Sequence, residues 1–197
     1  MKVKEIFYSI QGEGGRQGEA SIFIRLAGCN LNCDFCDTDW KDGKFMTIQE
    51  IKKEISQYPS DWIVWTGGEP TLQLTDLILA QFSNYKHAIE TNGTRPVPHR
   101  INYVACSPKE GVSPDQLKEL FPFGLSEFRY LIQEGDSLPK ISDLPYAYHY
   151  YVSPAFTGDP NEKMELSKGN VKAAVDWVLE NPEWKLSLQI HKMIKIK

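Results

Sequence analysis

The chain has 197 residues, enough for one domain with a proper core, and no shift in composition asks for two. A net charge of −4 and a pI near 5.6 argue against a nucleic-acid surface and for a small-molecule substrate. No charged segment followed by an apolar one opens the chain, and no apolar run approaches the roughly 20 residues of a bilayer span, so a cytoplasmic protein without membrane contact is expected.

Lys2 to Ser9 has strand character and is broken by Ile10-Gln11-Gly12-Glu13-Gly14-Gly15. Glycines there let a backbone approach a ligand closely, but on glycine content alone a plain flexible turn is the better explanation. Ala20 to Leu26 is an apolar strand interrupted by Arg25, which either makes a structural ion pair or clamps a substrate carboxylate through its planar fork. This strand feeds Gly28-Cys29-Asn30-Leu31-Asn32-Cys33-Asp34-Phe35-Cys36-Asp37-Thr38, which holds three of the four cysteines. Thiolates this close in sequence can reach one metal centre, zinc or iron-sulfur, and three of them leave a position open for water or substrate. Their spacing also suits one face of a helix, but Gly28 and the surrounding Asn and Asp residues favour a loop. Clustered thiols stay available for metal in a reducing compartment.

Thr47-Ile48-Gln49-Glu50 predicts a capping box for a surface helix carrying Ile48, Ile51 and Ile55. Trp62 to Trp65 is a buried-type strand that stops at Thr66-Gly67-Gly68-Glu69-Pro70, and Leu72 to Phe82 reads as the following helix. Lys86 to Glu90 and Ile101 to Cys106 are further strands, closed by Thr91-Asn92-Gly93-Thr94 and Ser107-Pro108-Lys109. Ser113-Pro114-Asp115 starts a helix that runs to about Leu120. Glu127 to Gln133 and Tyr146 to Val152 follow as strands. Asn170 is expected to cap a helix through Glu180, with Val171, Ala174, Val175 and Val178 as its apolar stripe, and Lys185 to His191 is expected as the last strand. Met164, Trp177 and Trp184 read as packing residues.

Strands that alternate with helices imply an α/β fold with a parallel sheet and helices on its outside. The chain is too short for the roughly 250 residues of a closed eightfold barrel, so a partial parallel barrel of about six strands is expected, as one domain over residues 1–197. Its loops would gather on one rim, bringing together the cysteine loop, Thr66 to Glu69, Thr91 to Thr94 and Ser107 to Lys109.

Cys29-x3-Cys33-x2-Cys36, with Phe35 before the last cysteine and a later strand ending in Gly67-Gly68-Glu69-Pro70, resembles the radical S-adenosylmethionine superfamily. Within it, Phe7-Tyr-Ser-Ile-Gln-Gly-Glu-Gly14, Phe23-Ile-Arg-Leu-Ala-Gly-Cys29, Cys36-Asp-Thr38 and Gln189-Ile-His-Lys192 resemble the family of 7-carboxy-7-deazaguanine synthases. The resemblance implies a 4Fe-4S cluster on Cys29, Cys33 and Cys36, with S-adenosylmethionine chelating the fourth iron. It places that cofactor at Phe35, Cys36, Asp37, Gly68, Ser107, Pro108 and Lys109, assisted by Glu69 and Asn92. It further implies a carbon-nitrogen lyase that turns 6-carboxy-5,6,7,8-tetrahydropterin into 7-carboxy-7-deazaguanine, a queuosine precursor, with loss of ammonia. The implied substrate positions are Ile10, Gln11, Gly12, Glu13, Arg25, Thr66 and His191, with Mg2+ at Thr38. An external, flavodoxin-like electron donor and a homodimer belong to the same expectation. The terminal proline of relatives has no counterpart in Ile194-Lys195-Ile196-Lys197. Two alternatives remain: a glycyl-radical activase, which would not need Gln11 to Glu13 or Arg25, and a zinc-binding module with Cys106 or His87 as fourth ligand.

Overall fold

In a computed structural model, which describes residues 1–33, 36, 39–109, 111–159 and 163–197, the chain opens with two antiparallel strands. These are β1 (Lys2–Ile10) and β2 (Ala20–Leu26), in which Phe7 lies opposite Phe23 with the rings stacked 5.0 Å apart. A register shift between Val3 and Glu5 turns β1 over, so Val3 packs into the outer core while Phe7 faces inward. After the two-residue β3 (Lys44–Phe45) comes α1 (Ile48–Ile55), begun by the predicted capping box. Thr47 Oγ1 accepts from Glu50 N at 3.2 Å and Glu50 Oε2 accepts from Thr47 N at 2.7 Å, which stabilises the helix by about 1 kcal/mol.

The chain continues with β4 (Trp62–Gly67), α2 (Asp76–Ala80), β5 (Lys86–Thr91), β6 (Tyr103–Cys106), α3 (Pro114–Leu120), β7 (Leu125–Ile132) and β8 (Ala147–Pro154). A hairpin of β9 (Phe156–Asp159) and β10 (Lys163–Leu166) leads into α4 (Lys168–Glu180), β11 (Trp184–Leu186) and α5 (Ile190–Ile194). Among the described residues, nine strands form one sheet in the order β11-β8-β7-β6-β5-β4-β2-β1-β3. Every neighbouring pair from β2 to β11 is parallel. The α/β partial barrel is therefore as expected, with seven parallel strands among the described residues against about six, the last of them the short β11 paired with β8.

Period-2 alternation sorts the side chains to two faces. The outer face is largely apolar: Ile22, Ile24, Ile63, Trp65 and Ile89 pack under Ile51, Ile55 and Leu79 of the helices. Phe128, Tyr150 and Val152 likewise pack under Leu117 and Ala174. The inner face carries a small apolar patch of Phe23, Val64 and Ala88. The same face carries the polar residues Arg25, Thr66, Glu90, Glu127 and Arg129, so this side of the sheet is fitted for a ligand and not for a helix. Among the described residues no helix is long and apolar enough to cross a membrane.

Four local expectations change. Leu72 to Phe82 is not one helix. Leu72 ends a 3-10 turn, and the Gln73 side chain bonds the backbone of Lys2 and Ala27 before Thr75 caps the short α2. Ser167, not Asn170, is the cap of α4, while Asn170 Oδ1 accepts from Glu134 N at 3.0 Å and its Nδ2 donates to Ala155 O at 2.9 Å. Val175 of the predicted stripe is exposed, and the core contact on that helix comes from Ala174. Lys185 to His191 leaves the sheet after Leu186, because Ser187 and Ile190 bond to Gly14 and Gly12 and draw the segment onto the loop after β1. Trp177 and Trp184 pack edge to face in the outer core, as expected.

Candidate active site

The cysteine loop begins where β2 ends, and the end of β4 lies directly against it. Gly68 N donates to Leu26 O and Glu69 N to Gly28 O, both at 3.0 Å. A Cβ on Gly68 would stand 1.9 Å from Gly28 O, so the two backbones meet this closely only because residue 68 is glycine. Glu69 is buried, and its two oxygens serve four donors. Oε1 accepts from Thr71 N, Thr71 Oγ1 and Thr91 Oγ1 at 3.1, 2.7 and 3.0 Å, and Oε2 accepts from Asn92 N at 2.8 Å. Asn92 Nδ2 donates to Asn30 Oδ1 at 3.1 Å and lies 4.0 Å from Cys29 Sγ. Glu69 and Asn92 are thus braces that tie three loops into one rim. Ser107 N donates to Thr91 O at 2.8 Å and Lys109 Nζ to Ser107 Oγ at 3.2 Å, which extends the rim to the end of β6.

Cys29, Cys33 and Cys36 carry thiols and not disulfides, with Cys36 exposed. Phe35, Asp37 and Thr38 lie outside the described residues. Among those described, no three His, Cys, Asp or Glu side chains close on a single metal ion. Neither proposed fourth zinc ligand serves. Cys106 faces the outer core, where burial and the Glu69 charge push its thiol well above the usual range. His87 sits near the start of β5, bonded at Nδ1 by Trp65 Nε1 at 3.2 Å. Three soft thiolates on one loop therefore suit a 4Fe-4S cluster with one iron left open. The buried Ser153 Oγ, at the end of β8 with no hydrogen-bond partner among the described residues, suits a polar cofactor on the same side.

A cavity of about 320 Å³ opens on the inner face. All seven substrate positions marked from the sequence line it: Ile10, Gln11, Gly12, Glu13, Arg25, Thr66 and His191. Phe7 and Phe23 supply an apolar wall. Of the two roles the sequence left open, the ion pair is present: Arg25 Nε pairs with Glu5 Oε1 at 2.8 Å, and the residue lines the cavity. Burial pushes the Glu5 carboxyl up, but Lys197 and Arg25 outweigh that and hold it below the usual carboxylate range. Ile196 and Lys197 also line the cavity, and Lys197 O accepts from Ser9 Oγ at 2.5 Å.

His191 reaches the cavity because Gly12 makes room for it. A Cβ on Gly12 would fall 1.9 Å from His191 Nδ1. Gly12→Ala is therefore expected to displace the imidazole and weaken substrate use about tenfold or more, the cost of roughly one good polar contact. Reductive cleavage of S-adenosylmethionine, measured without substrate, should stay at the parent level; equal loss of both would place Gly12 in the scaffold instead.

Sequence reasoning missed Glu90 and the pair Glu127 and Arg129. Glu90 lines the cavity, and Arg129 lies beneath it with ion pairs to Glu13, Glu90 and Glu127. The signal was present in Ser126-Glu127-Phe128-Arg129-Tyr130, where two charges two residues apart alternate with aromatics. That pattern puts both charges on the face opposite the helices.

A model of the radical SAM superfamily matches residues 23–142. With three thiolates on the loop after the first parallel strand and a glycine-edged rim beside them, the chain belongs to that superfamily. The 7-carboxy-7-deazaguanine synthase of Bacteroides thetaiotaomicron is 40% identical over 198 residues, covering 100% of this chain and 98% of that protein. Those of Haemophilus influenzae and Bordetella pertussis are 35% and 34% identical, covering 99% and 98% of this chain and 93% and 98% of theirs. The crystal structure of QueE from Escherichia coli superposes with a TM-score of 0.67 at 21% identity, over 95% of this chain and 92% of that one, a likeness of fold. Within the superfamily, this chain is a member of the 7-carboxy-7-deazaguanine synthase family.

Proposed function

We propose that the chain converts 6-carboxy-5,6,7,8-tetrahydropterin to 7-carboxy-7-deazaguanine with loss of ammonia, on the path to 7-deazapurines such as queuosine. The observation that carries this is the inner cavity. It is lined by the seven residues of the family motif, and its size suits one bicyclic heterocycle with a carboxylate. Arg25 lies four residues before Cys29, and Thr66 two before Gly68, so the cavity and the cofactor rim share the same strand ends.

Cys29, Cys33 and Cys36 would hold the cluster, and the backbone at Gly68 with Ser107, Pro108 and Lys109 would hold S-adenosylmethionine. Cys36 serves both, and Phe35 and Asp37 are assigned to the cofactor by the family motif. When bound, cluster and cofactor would supply radical chemistry able to take a hydrogen atom from the substrate held in the cavity. The protein binds, orients and excludes water. Arg25 offers its planar fork to the substrate carboxylate. Glu13, Glu90 and Gln11 offer acceptors and an amide to the pterin edge. Phe7 and Phe23 cover one side of the cavity with rings that hold no water.

Mg2+ at Thr38 is part of the reading on the strength of the Cys36-Asp37-Thr38 motif, since magnesium binds readily through one protein oxygen plus substrate and water. A flavodoxin-like donor, a homodimer, a reducing cytoplasm and a single domain over residues 1–197 complete it. The test is anaerobic turnover with S-adenosylmethionine, reductant and Mg2+, each omitted in turn, with the product identified by mass. Inactivity with an intact cluster overturns the assignment, and full activity without Mg2+ removes the metal from it. Arg25→Ala should lower kcat/KM for the pterin by about 30- to 1,000-fold, the equivalent of roughly 2–4 kcal/mol for a lost charge-assisted pair. It should leave cleavage of S-adenosylmethionine alone; if cleavage is lost, Arg25 acts through Glu5 as a structural residue.

A further inference from the structure

Beneath the cavity the inner face holds one cation among three anions. Arg129 of β7 is 5% exposed. Its Nη1 lies 3.1 Å from Glu13 Oε2, its Nη2 2.9 Å from Glu90 Oε1 and its Nε 3.0 Å from Glu127 Oε1. The last is an ion pair without an aligned hydrogen bond. A buried ionic cluster is a poor way to stabilise a fold, because apolar side chains of similar size cost less to bury. The partners of the three carboxylates show what this one is arranged for. Glu127 is wholly engaged in the scaffold, accepting from Gly15 N at 2.7 Å and Tyr103 Oη at 2.5 Å. Glu13 and Glu90 instead line the cavity. Each is fixed by one amide as well as by the arginine: Gln189 Nε2 donates to Glu13 Oε1 at 2.5 Å and Gln11 Nε2 to Glu90 Oε1 at 2.9 Å.

We infer that Arg129 is a positioning residue for substrate orientation, holding Glu13 and Glu90 side by side as acceptors for the amino-pyrimidinone edge of the pterin. That edge presents parallel N–H donors, which carboxylate oxygens accept well. Arg25 in the same cavity takes the opposite, anionic end of the molecule, so the ring enters in one orientation. Burial pushes Glu90 up, but the charge and hydrogen bond of Arg129 and the amide of Gln11 outweigh it and hold the carboxyl below its usual range. Glu13 and Glu127 share the arginine with Glu90, and Arg25, His191, Lys192 and Lys197 line the same cavity. Of the positive groups, Arg129 does most to keep Glu90 an acceptor, with His191 acting in the same direction. The inference rests on the substrate proposed above.

The test uses reconstituted holoprotein with S-adenosylmethionine bound. Affinity for the carboxytetrahydropterin and for its 2-oxo counterpart, which lacks the amino donor, is measured by calorimetry without reductant. KM and kcat for the pterin are then measured with reductant. Arg129→Met is expected to weaken pterin binding and raise KM by about 10- to 100-fold, with kcat changed less than about threefold. Its preference for the amino over the oxo compound should collapse. Arg129→Lys keeps the charge and lacks the fork, so its preference should fall between the two. An unchanged preference, or a loss confined to kcat, overturns the inference; if Arg129→Met does not fold, Arg129→Lys decides alone, and a parental preference there overturns it. A parent protein that cleaves S-adenosylmethionine yet uses no pterin overturns the functional reading and this inference with it. An active parent with unaltered Arg129 variants overturns the inference only.

Discussion

Cys33→Ala is expected to remove the iron-sulfur cluster and, with it, all measurable cleavage of S-adenosylmethionine, a loss of at least about a thousandfold or roughly 4 kcal/mol. Three thiolates on one loop have no substitute. Cys106 turns its sulfur into the outer core, and His87 is held by Trp65 near the start of β5. Iron and sulfide analysis of the anaerobically reconstituted variant checks the first part, and the amount of 5′-deoxyadenosine formed under reductant checks the second. Cys106→Ala, made in parallel, should keep the parent's full iron content. A Cys33 variant that retains a four-iron cluster, or a Cys106 variant that loses it, contradicts the ligand set.

Glu69→Ala is expected to be nearly as damaging, by a different route. Four donors from Thr71, Thr91 and Asn92 converge on one buried carboxylate. Removing it leaves them unsatisfied at about 1–3 kcal/mol for each group that water does not reach, so a loss on the order of 4 kcal/mol is expected, a large part of an ordinary folding free energy. The rim loosens with it, because the same carboxylate ties the loop beside the cysteines to the loop that carries Asn92. Thermal unfolding of the anaerobic holoprotein should move to markedly lower temperature, and affinity for S-adenosylmethionine should fall. Glu69→Gln, which keeps one oxygen acceptor, should lie between. An alanine variant with the parental midpoint and parental cleavage rate is the contrary result.

The sheet was legible because its outer face is largely apolar at every second residue, as in Ile22, Ile24 and Leu26, and because each strand stops at a glycine or polar turn. Thr47 and Ser113 were legible as caps for the same local reason, since a side chain three residues away completes the bond. What failed was non-local. Gln73 spends its amide on Lys2 and Ala27, and so divides a stretch that reads as one helix. Ile190 bonds to Gly12 across the length of the chain, turning an apparent last strand into the turn and helix that carry His191. Within the site, Arg25 and the glycine-bearing loop after β1 stood out by their chemistry, whereas Thr66 and His191 were marked through family motifs. Glu90, Glu127 and Arg129 carry no such motif; the alternation around Glu127 and Arg129 puts their charges on one face, but the cluster itself forms only when two strands and a loop bring one guanidinium against three carboxylates.

The most direct measurement follows one hydrogen atom. Carboxytetrahydropterin deuterated at C6 is incubated anaerobically with holoprotein, S-adenosylmethionine and reductant, and the 5′-deoxyadenosine is recovered. If the inner cavity presents that carbon to the cofactor rim, the nucleoside carries deuterium and the pterin is converted to 7-carboxy-7-deazaguanine. Unlabelled nucleoside beside unchanged pterin, from protein with a complete cluster, would show that the cavity serves some other molecule.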